Sequence, residues 1–356
     1  MNVGTNIVKL PANVTLAKIK AVTDNRGSTS TSNNTVVNTA DDNEAFEEAL
    51  QELDINIDLS EDEKNLLRDT IRKNRQAFSY GSRRLGRTNP ATMTIETGDA
   101  QPISQAPYRA SPEGRKIIDE TLAELIADDV IEESDSPWSS PAILVRQKGK
   151  DRFCIDYRKI NDVTKADQYP IPRIDDILSQ FAGKAYFSTF DANKGFHQIE
   201  IAPQDREKTA FRTHRGLHQY KRMPFGLKNG PSVFQRLMDK ILGRFKWQTA
   251  LVYIDDIIIY SKDVASHIKD IGTILGLVNQ SGLTLSLKKC HLAYQSLTAL
   301  GHTVSNLGIG TADGTIKAVK EFPQPKNVKQ LQRFLGLCVY YRRFVQGFAK
   351  IASPLY

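Results

Sequence analysis

The stretch from Leu251 to Tyr260 reads Leu-Val-Tyr-Ile-Asp-Asp-Ile-Ile-Ile-Tyr and places two adjacent carboxylates inside an apolar run. Runs of aliphatic and aromatic residues are typical of buried strands, where Asp is rare. An ionised carboxylate that is buried alone costs many kcal/mol, so such groups are normally paired or bind a cation. Asp255 and Asp256 are therefore either the solvated tip of a tight turn or part of a cation-binding site.

A third carboxylate, Asp191, has similar neighbours. Residues 185–192 read Ala-Tyr-Phe-Ser-Thr-Phe-Asp-Ala, an aromatic and β-rich run. Two apolar strands that each reach an Asp can bring the acids together at one edge of a sheet. Carboxylate oxygens with water and substrate phosphate suit Mg²⁺. Two such ions about 3.5–4 Å apart activate a hydroxyl and stabilise the leaving oxygen of a phosphoryl displacement, so the pattern predicts nucleotidyl transfer.

Further motifs follow one another in the order of a known family. Residues 253–256 (Tyr-Ile-Asp-Asp) resemble the signature of reverse transcriptases, and residues 190–191 (Phe-Asp) resemble their first metal-binding strand. The other matching blocks are 136–141 (Ser-Pro-Trp-Ser-Ser-Pro), 152–161 (Arg-Phe-Cys-Ile-Asp-Tyr-Arg-Lys-Ile-Asn), 222–231 (Arg-Met-Pro-Phe-Gly-Leu-Lys-Asn-Gly-Pro), 300–302 (Leu-Gly-His), 334–337 (Phe-Leu-Gly-Leu) and 340–342 (Tyr-Tyr-Arg). The combination is similar to the polymerases of gypsy-class long-terminal-repeat retrotransposons.

The resemblance implies an α+β fold of the right-hand polymerase type, with fingers, palm and thumb and an antiparallel palm sheet backed by helices. In the family an RNase H domain follows; because the sequence ends at Tyr356, we assign no RNase H activity to it. The implied segments are a flexible tail over 1–40 (a candidate remnant of a preceding protease region), an acidic helical linker over 41–90, fingers and palm over 91–260, and thumb with the start of the connection over 261–356.

The resemblance also assigns roles to the acids. Asp191 and Asp255 would hold two Mg²⁺ ions, with Mn²⁺ as an alternative cofactor, and Asp256 would be the third catalytic and metal-site acid. Tyr253, beside the acids, would contact the primer terminus, although simple packing explains its position equally well.

Around the incoming nucleotide, the resemblance places Arg152 over the triphosphate, where its fixed cation suits phosphate oxygens. In related elements a valine is usually followed by a run of lysines, whereas here Val145 is followed by Arg-Gln-Lys-Gly-Lys. The second cation at the triphosphate is therefore either Lys148 or Lys150. Phe196 would lie beneath the sugar and exclude a ribose 2′ hydroxyl, with core packing as the alternative. The other residues placed beside the nucleotide are Phe225 and Gly226.

Basic residues predict the contacts with nucleic acid. The segment 317–350 carries eight basic residues and one acidic residue, so it is either a solvated face or a thumb that grips the backbone of a duplex. The resemblance favours the thumb. The residues predicted to contact primer or template, besides Tyr253, are Lys228, Arg333 and Arg342.

The overall charge agrees with such a partner. The chain of 356 residues has a net charge of +7, but residues 41–70 contain 12 acidic and two basic residues, so the remainder carries +17. A basic body of this size suits a polyanion, since phosphate contacts supply most sequence-independent affinity for nucleic acid. The expected partners are an RNA template with a DNA primer, or an RNA–DNA duplex, together with deoxynucleoside triphosphates.

Other features limit the possibilities. There is no run of 18 apolar residues, so no membrane span is expected. The three cysteines, Cys154, Cys290 and Cys338, offer no zinc-ligand or disulfide pattern, and we predict that all three are buried. Without a targeting signal, the expected location is the cytoplasm or a virus-like particle assembled there. The oligomeric state is left open.

The function predicted from sequence is RNA-directed DNA synthesis from a primer 3′ end during retrotransposon replication. Two alternatives are kept. One is a catalytically inactive nucleic-acid-binding remnant or domesticated protein, which the altered lysine run would suit; the other is a DNA-templated polymerase.

Local patterns predict individual elements. A Ser-x-x-Glu pattern that begins at Ser60 predicts a capped helix with Leu66 facing inward. Ser111, followed by Pro, predicts the start of another helix with Ile126 on its buried face. Alternating leucines predict a strand over 283–287.

Overall fold

The computed structural model describes residues 39–81, 85–147, 149–305, 308–311 and 313–355. The predicted tail lies almost entirely outside these residues. The strands are β1 (Asp54–Ile55), β2 (Phe78–Ser79), β3 (Thr88–Met93), β4 (Ile131–Glu133), β5 (Ser140–Gln147), β6 (Lys150–Ile155), β7 (Tyr186–Asp191), β8 (Ile199–Ile201), β9 (Phe211–Thr213), β10 (Gly216–Tyr220), β11 (Ala250–Tyr253), β12 (Asp256–Ser261), β13 (Leu285–Ser286), β14 (His291–Tyr294), β15 (Ser296–Ala299), β16 (His302–Ser305) and β17 (Gly308–Thr311). The helices are α1 (Thr39–Gln51), α2 (Glu61–Lys73), α3 (Pro112–Ala127), α4 (Arg158–Val163), α5 (Ile174–Ser179), α6 (Gly230–Leu242), α7 (Val264–Ser281), α8 (Asp313–Lys320), α9 (Val328–Tyr340) and α10 (Phe348–Ala352).

A five-stranded sheet in the order β1-β14-β7-β12-β11, hereafter the central sheet, carries the acids. Its pairs are antiparallel except for β1 with β14. Along β12, Ile257 and Ile259 belong to one buried cluster, whereas Ile258 and Tyr260 belong to a second cluster. Because successive side chains point to opposite faces, both faces of the sheet are covered, which explains the uninterrupted apolar run in the sequence.

A second sheet has the order β4-β10-β9-β5-β6. Strands β5 and β6 pair antiparallel, with Val145 opposite Arg152. Helix α3 begins where it was predicted, since the Ser111 hydroxyl accepts the backbone N–H of Gly114. The prediction for Ile126 is wrong: its side chain lies on the exposed face of α3.

The segment predicted as an acidic linker is packed into the body of the protein. Strand β1 pairs with β14 of the central sheet, and β2 pairs with β13. Helix α2 has the predicted capping box between Ser60 and Glu63. Its buried residues are Leu67 and Ile71, whereas Leu66 is exposed, contrary to prediction. One apolar face is therefore enough to dock this otherwise acidic helix.

Two other predictions need correction. The leucines at 283–287 form only the two-residue strand β13, and Leu287 begins a 3₁₀ turn that leads to Lys289. Of the cysteines, only Cys290 is buried, whereas Cys154 and Cys338 are partly accessible. Within the described residues no helix is long and apolar enough to cross a membrane.

A buried histidine connects α7 to the central sheet. His267 is fully buried, and its ring nitrogens lie 2.7 Å from the Ser188 hydroxyl and 3.0 Å from the Ser261 hydroxyl. The Ser261 hydroxyl in turn donates to Asp270 over 2.7 Å. Its oxygen therefore accepts from the ring N–H of a neutral His267, and the other ring nitrogen accepts from Ser188. Burial lowers the pKa of His267 to about 4, although Asp263 acts in the opposite direction.

This arrangement predicts a loss of stability in acid. In the unfolded chain His267 takes up a proton near pH 6.5, whereas in the folded protein it does so only near pH 4. Its contribution is therefore complete above pH 6.5 and is lost as the pH falls towards 4, by at most about 3 kcal/mol. Urea unfolding of wild type and His267→Gln between pH 7.5 and 4.5 measures this. The variant should show a shallower pH dependence; equal slopes would contradict the assignment.

Candidate active site

The three acids predicted from sequence meet at one end of the central sheet. Strand β7 ends at Asp191, and the tight turn between β11 and β12 contains Asp255 and leads into Asp256. Asp256 lies directly opposite Asp191 across the paired strands. In addition, the backbone N–H of Ala192 donates to the carbonyl of Asp255 over 3.3 Å. Residues separated by more than 60 positions in the sequence are thus held side by side by backbone pairing.

The turn that carries Asp255 is strained. Ile254 has a φ of 56°, in the left-handed region. A β-branched side chain rarely adopts this conformation, and it persists only where surrounding contacts enforce it. Strain of this kind is common at functional sites, and here it lies immediately before the paired acids.

Burial and neighbouring negative charge oppose the ionisation of Asp255 and Asp256. Burial, followed by the charges of Asp191 and Asp256, raises the pKa of Asp255 to about 6. Burial and the charge of Asp191 also raise the pKa of Asp256. One buried carboxylate oxygen of Asp255, Oδ1, has no hydrogen-bond partner in the described part of the chain. The cluster therefore has a carboxylate oxygen available for an additional positive charge.

Sequence reasoning missed one member of this cluster. The Lys289 ammonium lies 2.9 Å from Asp191 Oδ1, and it opposes the rise in the pKa of Asp255 and Asp256. A cavity of about 370 Å³ opens beside this ion pair. The Lys288-Lys289 dipeptide was visible in the sequence, but Lys289 lies 98 residues from Asp191, and the 3₁₀ turn that positions it was not predicted.

The acids supply some, but not all, of the ligands that a divalent cation needs. Among the described residues no group of three or more acidic, His or Cys side chains is arranged around one ion position. Mg²⁺ in phosphoryl-transfer sites is usually held by one or two carboxylates together with water and substrate phosphates. The unpartnered oxygen of Asp255 and the carboxylate of Asp191 provide hard oxygen ligands of this kind. The donor set therefore fits Mg²⁺ that is completed by substrate.

The predicted sugar-contacting ring is covered by another ring. Phe196 is only 5% exposed, and it stacks on Phe225 with ring centroids 4.9 Å apart and on Phe234 at 5.5 Å. Phe225 is 52% exposed. A Cβ atom at Gly230 would lie 3.3 Å from the Phe196 ring, closer than ordinary van der Waals contact, so glycine favours this packing. The surface offered to a ligand is mainly that of Phe225.

Hydrogen bonds to Asn161 and Thr164 hold the loop after Phe225. Gly226 has a φ of 93°, which favours glycine, and its carbonyl accepts the Asn161 side-chain amide over 2.8 Å. The Lys228 ammonium donates to the carbonyls of Asn161 and Thr164, at 3.1 and 2.9 Å. Lys228 was predicted to contact primer or template; in the described structure its ammonium is engaged in shaping this loop.

The other residues predicted to contact nucleotide, primer or template lie on several different elements. Tyr253 is half-buried at the end of β11 and packs against the second buried cluster. Arg152 is exposed on β6. Lys148 falls outside the described residues, and of Lys150 only the backbone, at the start of β6, is described. Arg333 on α9 and Arg342 just beyond it are both exposed.

Comparison with known proteins identifies the class of this fold. Residues 141–304 match the family model of the reverse transcriptase (RNA-dependent DNA polymerase). The solved structure of the foamy viral protease-reverse transcriptase dRH in complex with ds DNA matches with a TM-score of 0.79 and 25% identity, over 88% of this chain and 55% of that chain. The predicted α+β right-hand polymerase fold is therefore confirmed, and residues 141–304 form a domain of the reverse transcriptase family.

The curated relatives narrow the relationship to retrotransposons. The chain is 36% identical over 299 residues to the retrovirus-related Pol polyprotein from transposon gypsy of Drosophila melanogaster, covering 82% of this chain and 29% of the polyprotein. It is 38% identical over 267 residues to that of transposon opus from the same organism, covering 73% and 27% respectively. The chain thus spans less than a third of these relatives, and its resemblance to gypsy-class polymerases is confirmed.

Proposed function

We propose that the chain is an RNA-directed DNA polymerase that adds deoxynucleotides to a primer 3′ end during retrotransposon replication. The observation that carries this proposal is the meeting of Asp191, Asp255 and Asp256 at one end of the central sheet. Family membership supports the same activity. The predicted setting is the cytoplasm or a virus-like particle.

The proposed mechanism uses two metal ions. Asp191 and Asp255 would hold Mg²⁺, with Mn²⁺ as the alternative, and Asp256 would add negative charge beside them. When bound, the ions activate the primer hydroxyl and stabilise the leaving pyrophosphate. The Lys289 ammonium lies 2.9 Å from Asp191 and would have to move away from this carboxylate for a cation to bind there. The raised pKa of Asp255 indicates that cation binding and ionisation of this acid are coupled.

The proposed nucleic-acid partner is a primer–template duplex. The foamy viral relative was solved with ds DNA, and the segment 317–350 of this chain carries a net charge of +7. Exposed Arg333 and Arg342 in this segment are proposed to contact the phosphate backbone, which every sequence shares. Arg152, with Lys148 or Lys150, is proposed to bind the triphosphate.

Asp255→Asn should reduce primer extension below detection, because the amide can neither ionise nor replace a carboxylate ligand. Duplex binding, measured by fluorescence anisotropy without metal, should be retained within about threefold, a change of well under 1 kcal/mol. Asp99→Asn, which alters an exposed carboxylate in a loop, is the matched control and should behave as wild type. Substantial synthesis by Asp255→Asn would refute the role of this acid.

The pH dependence of extension should report Asp255. Its pKa near 6 means that the ionised form is lost as the pH falls through 6, so the rate should fall there. Raising Mg²⁺ should move the midpoint to lower pH, because the cation favours the carboxylate. Single-turnover rates between pH 5 and 8 at several Mg²⁺ concentrations test this. A midpoint that is independent of Mg²⁺ would exclude coupling between Asp255 and the cation.

Sugar discrimination should depend on both stacked rings. Phe196→Ala should raise the relative kcat/KM for ribonucleotides by at least about tenfold, because it opens space beneath the sugar. Phe225→Ala should raise it at least as much, because Phe225 covers Phe196 and offers the exposed ring surface. The measurement is competition between ribo- and deoxynucleoside triphosphates on one primer–template. Unchanged discrimination in both variants would assign the stack to core packing alone.

The same extension assay separates the alternative functions. A binding-only remnant would retain duplex affinity without extension. A DNA-templated polymerase would copy a DNA template at least as well as the matched RNA template.

A further inference from the structure

A buried amide on α6 holds the strained turn between β11 and β12. Gln235 is fully buried. Its Oε1 accepts the backbone N–H of Ile254 over 3.1 Å, and its Nε2 donates to the carbonyl of Val252 over 3.1 Å. One side chain thus bonds both to the left-handed residue of the turn and to the strand that leads into it. Buried polar side chains are normally hydrogen-bonded, and these two partners of Gln235 are backbone groups of the turn and of its leading strand.

The carboxylate of Asp239, one helical turn further along α6, contributes with the Val252 carbonyl to the orientation of the Gln235 amide. Asp239 Oδ1 accepts from Gln235 Nε2 over 3.0 Å. Its Oδ2 accepts from the Tyr169 hydroxyl over 2.7 Å and from the Lys246 ammonium. An ionised carboxylate can only accept hydrogen bonds. The NH₂ end of Gln235 must therefore face Asp239, which leaves the oxygen end to receive the N–H of Ile254.

We propose that Gln235 and Asp239 are positioning residues for the acid cluster, an inference that rests on the proposed polymerase function. Asp239 helps to orient the Gln235 amide, Gln235 holds Ile254 in its left-handed conformation, and that conformation aims Asp255 at Asp191. Neither residue touches substrate. Misplacement of a reacting group by about 1 Å costs on the order of 10²-fold in rate. A change in the conformation of this turn should therefore lower the rate of extension.

The first test is Gln235→Met, which keeps the length and volume of the side chain and removes its hydrogen bonds. The matched control is Asn56→Leu. Asn56 is another buried amide, whose Nδ2 donates to the Ala293 carbonyl over 3.1 Å, and it follows β1 at the edge of the central sheet opposite β11. Both variants lose a buried amide network, but only one of these networks supports the turn.

Gln235→Met should lower kcat for primer extension by at least about tenfold and raise the Mg²⁺ concentration needed for half-maximal rate, with primer–template KM nearly unchanged. Asn56→Leu should lower the melting temperature comparably and leave kcat and the Mg²⁺ midpoint as in wild type. Equal kinetic effects in the two variants, or none in Gln235→Met, would overturn the proposal.

Asp239→Asn tests the second step. This variant replaces the carboxylate beside Gln235 with an amide and leaves the Val252 carbonyl as the remaining acceptor-only partner of the Gln235 NH₂ group. Its kcat should fall, whereas the double variant with Gln235→Met should be no slower than Gln235→Met alone. Multiplicative losses would show that Asp239 does not act through Gln235.

Amide hydrogen exchange distinguishes failure of this inference from failure of the polymerase assignment. Exchange of the Ile254 N–H, followed by mass spectrometry of peptides that cover 250–258, should accelerate at least about tenfold in Gln235→Met and in Asp239→Asn. Asn56→Leu should leave it unchanged. This readout holds even for a chain without polymerase activity, and unaltered Ile254 protection in both variants would reject the positioning role.

Discussion

The structure depends on keeping three like-charged carboxylates close together at one end of the central sheet, where Asp191 and Asp255 are partly buried and Asp256 is exposed. Asp191, Asp255 and Asp256 repel one another, and the pKa of both Asp255 and Asp256 is raised by burial and by neighbouring charge. The free energy for holding them comes from the apolar residues that cover both faces of β7, β11 and β12. Backbone pairing then fixes the separation of the acids, and Lys289 partly neutralises them.

This constraint explains features away from the acids. The fully buried His267 connects α7 to β7 and β12, so the helix and the strands that carry Asp191 and Asp256 are fixed together. Helix α6 supplies both Phe234, which packs on Phe196, and Gln235, which supports the turn. Helix α6 therefore supports both the rings proposed to lie beside the nucleotide and the turn that carries Asp255.

Much of this could be predicted from local sequence. The apolar runs around Asp191 and Asp255 indicate buried strands, and the capping signals at Ser60 and Ser111 locate two helix starts. What could not be predicted depends on distant contacts. Lys289 is positioned by a 3₁₀ turn that was not predicted. Lys228 donates to carbonyls more than 60 residues away in the sequence. The stacking of Phe225 over Phe196 likewise requires the tertiary fold.

The central claim is that the acid cluster is a working polymerase site. The most direct measurement is single-nucleotide extension by the wild-type chain of a DNA primer on an RNA template, in Mg²⁺ and with each deoxynucleoside triphosphate in turn. We expect addition of the complementary nucleotide alone, release of pyrophosphate, and complete inhibition by a metal chelator. A chain that binds this duplex but extends no primer in Mg²⁺ or Mn²⁺ would contradict the central claim.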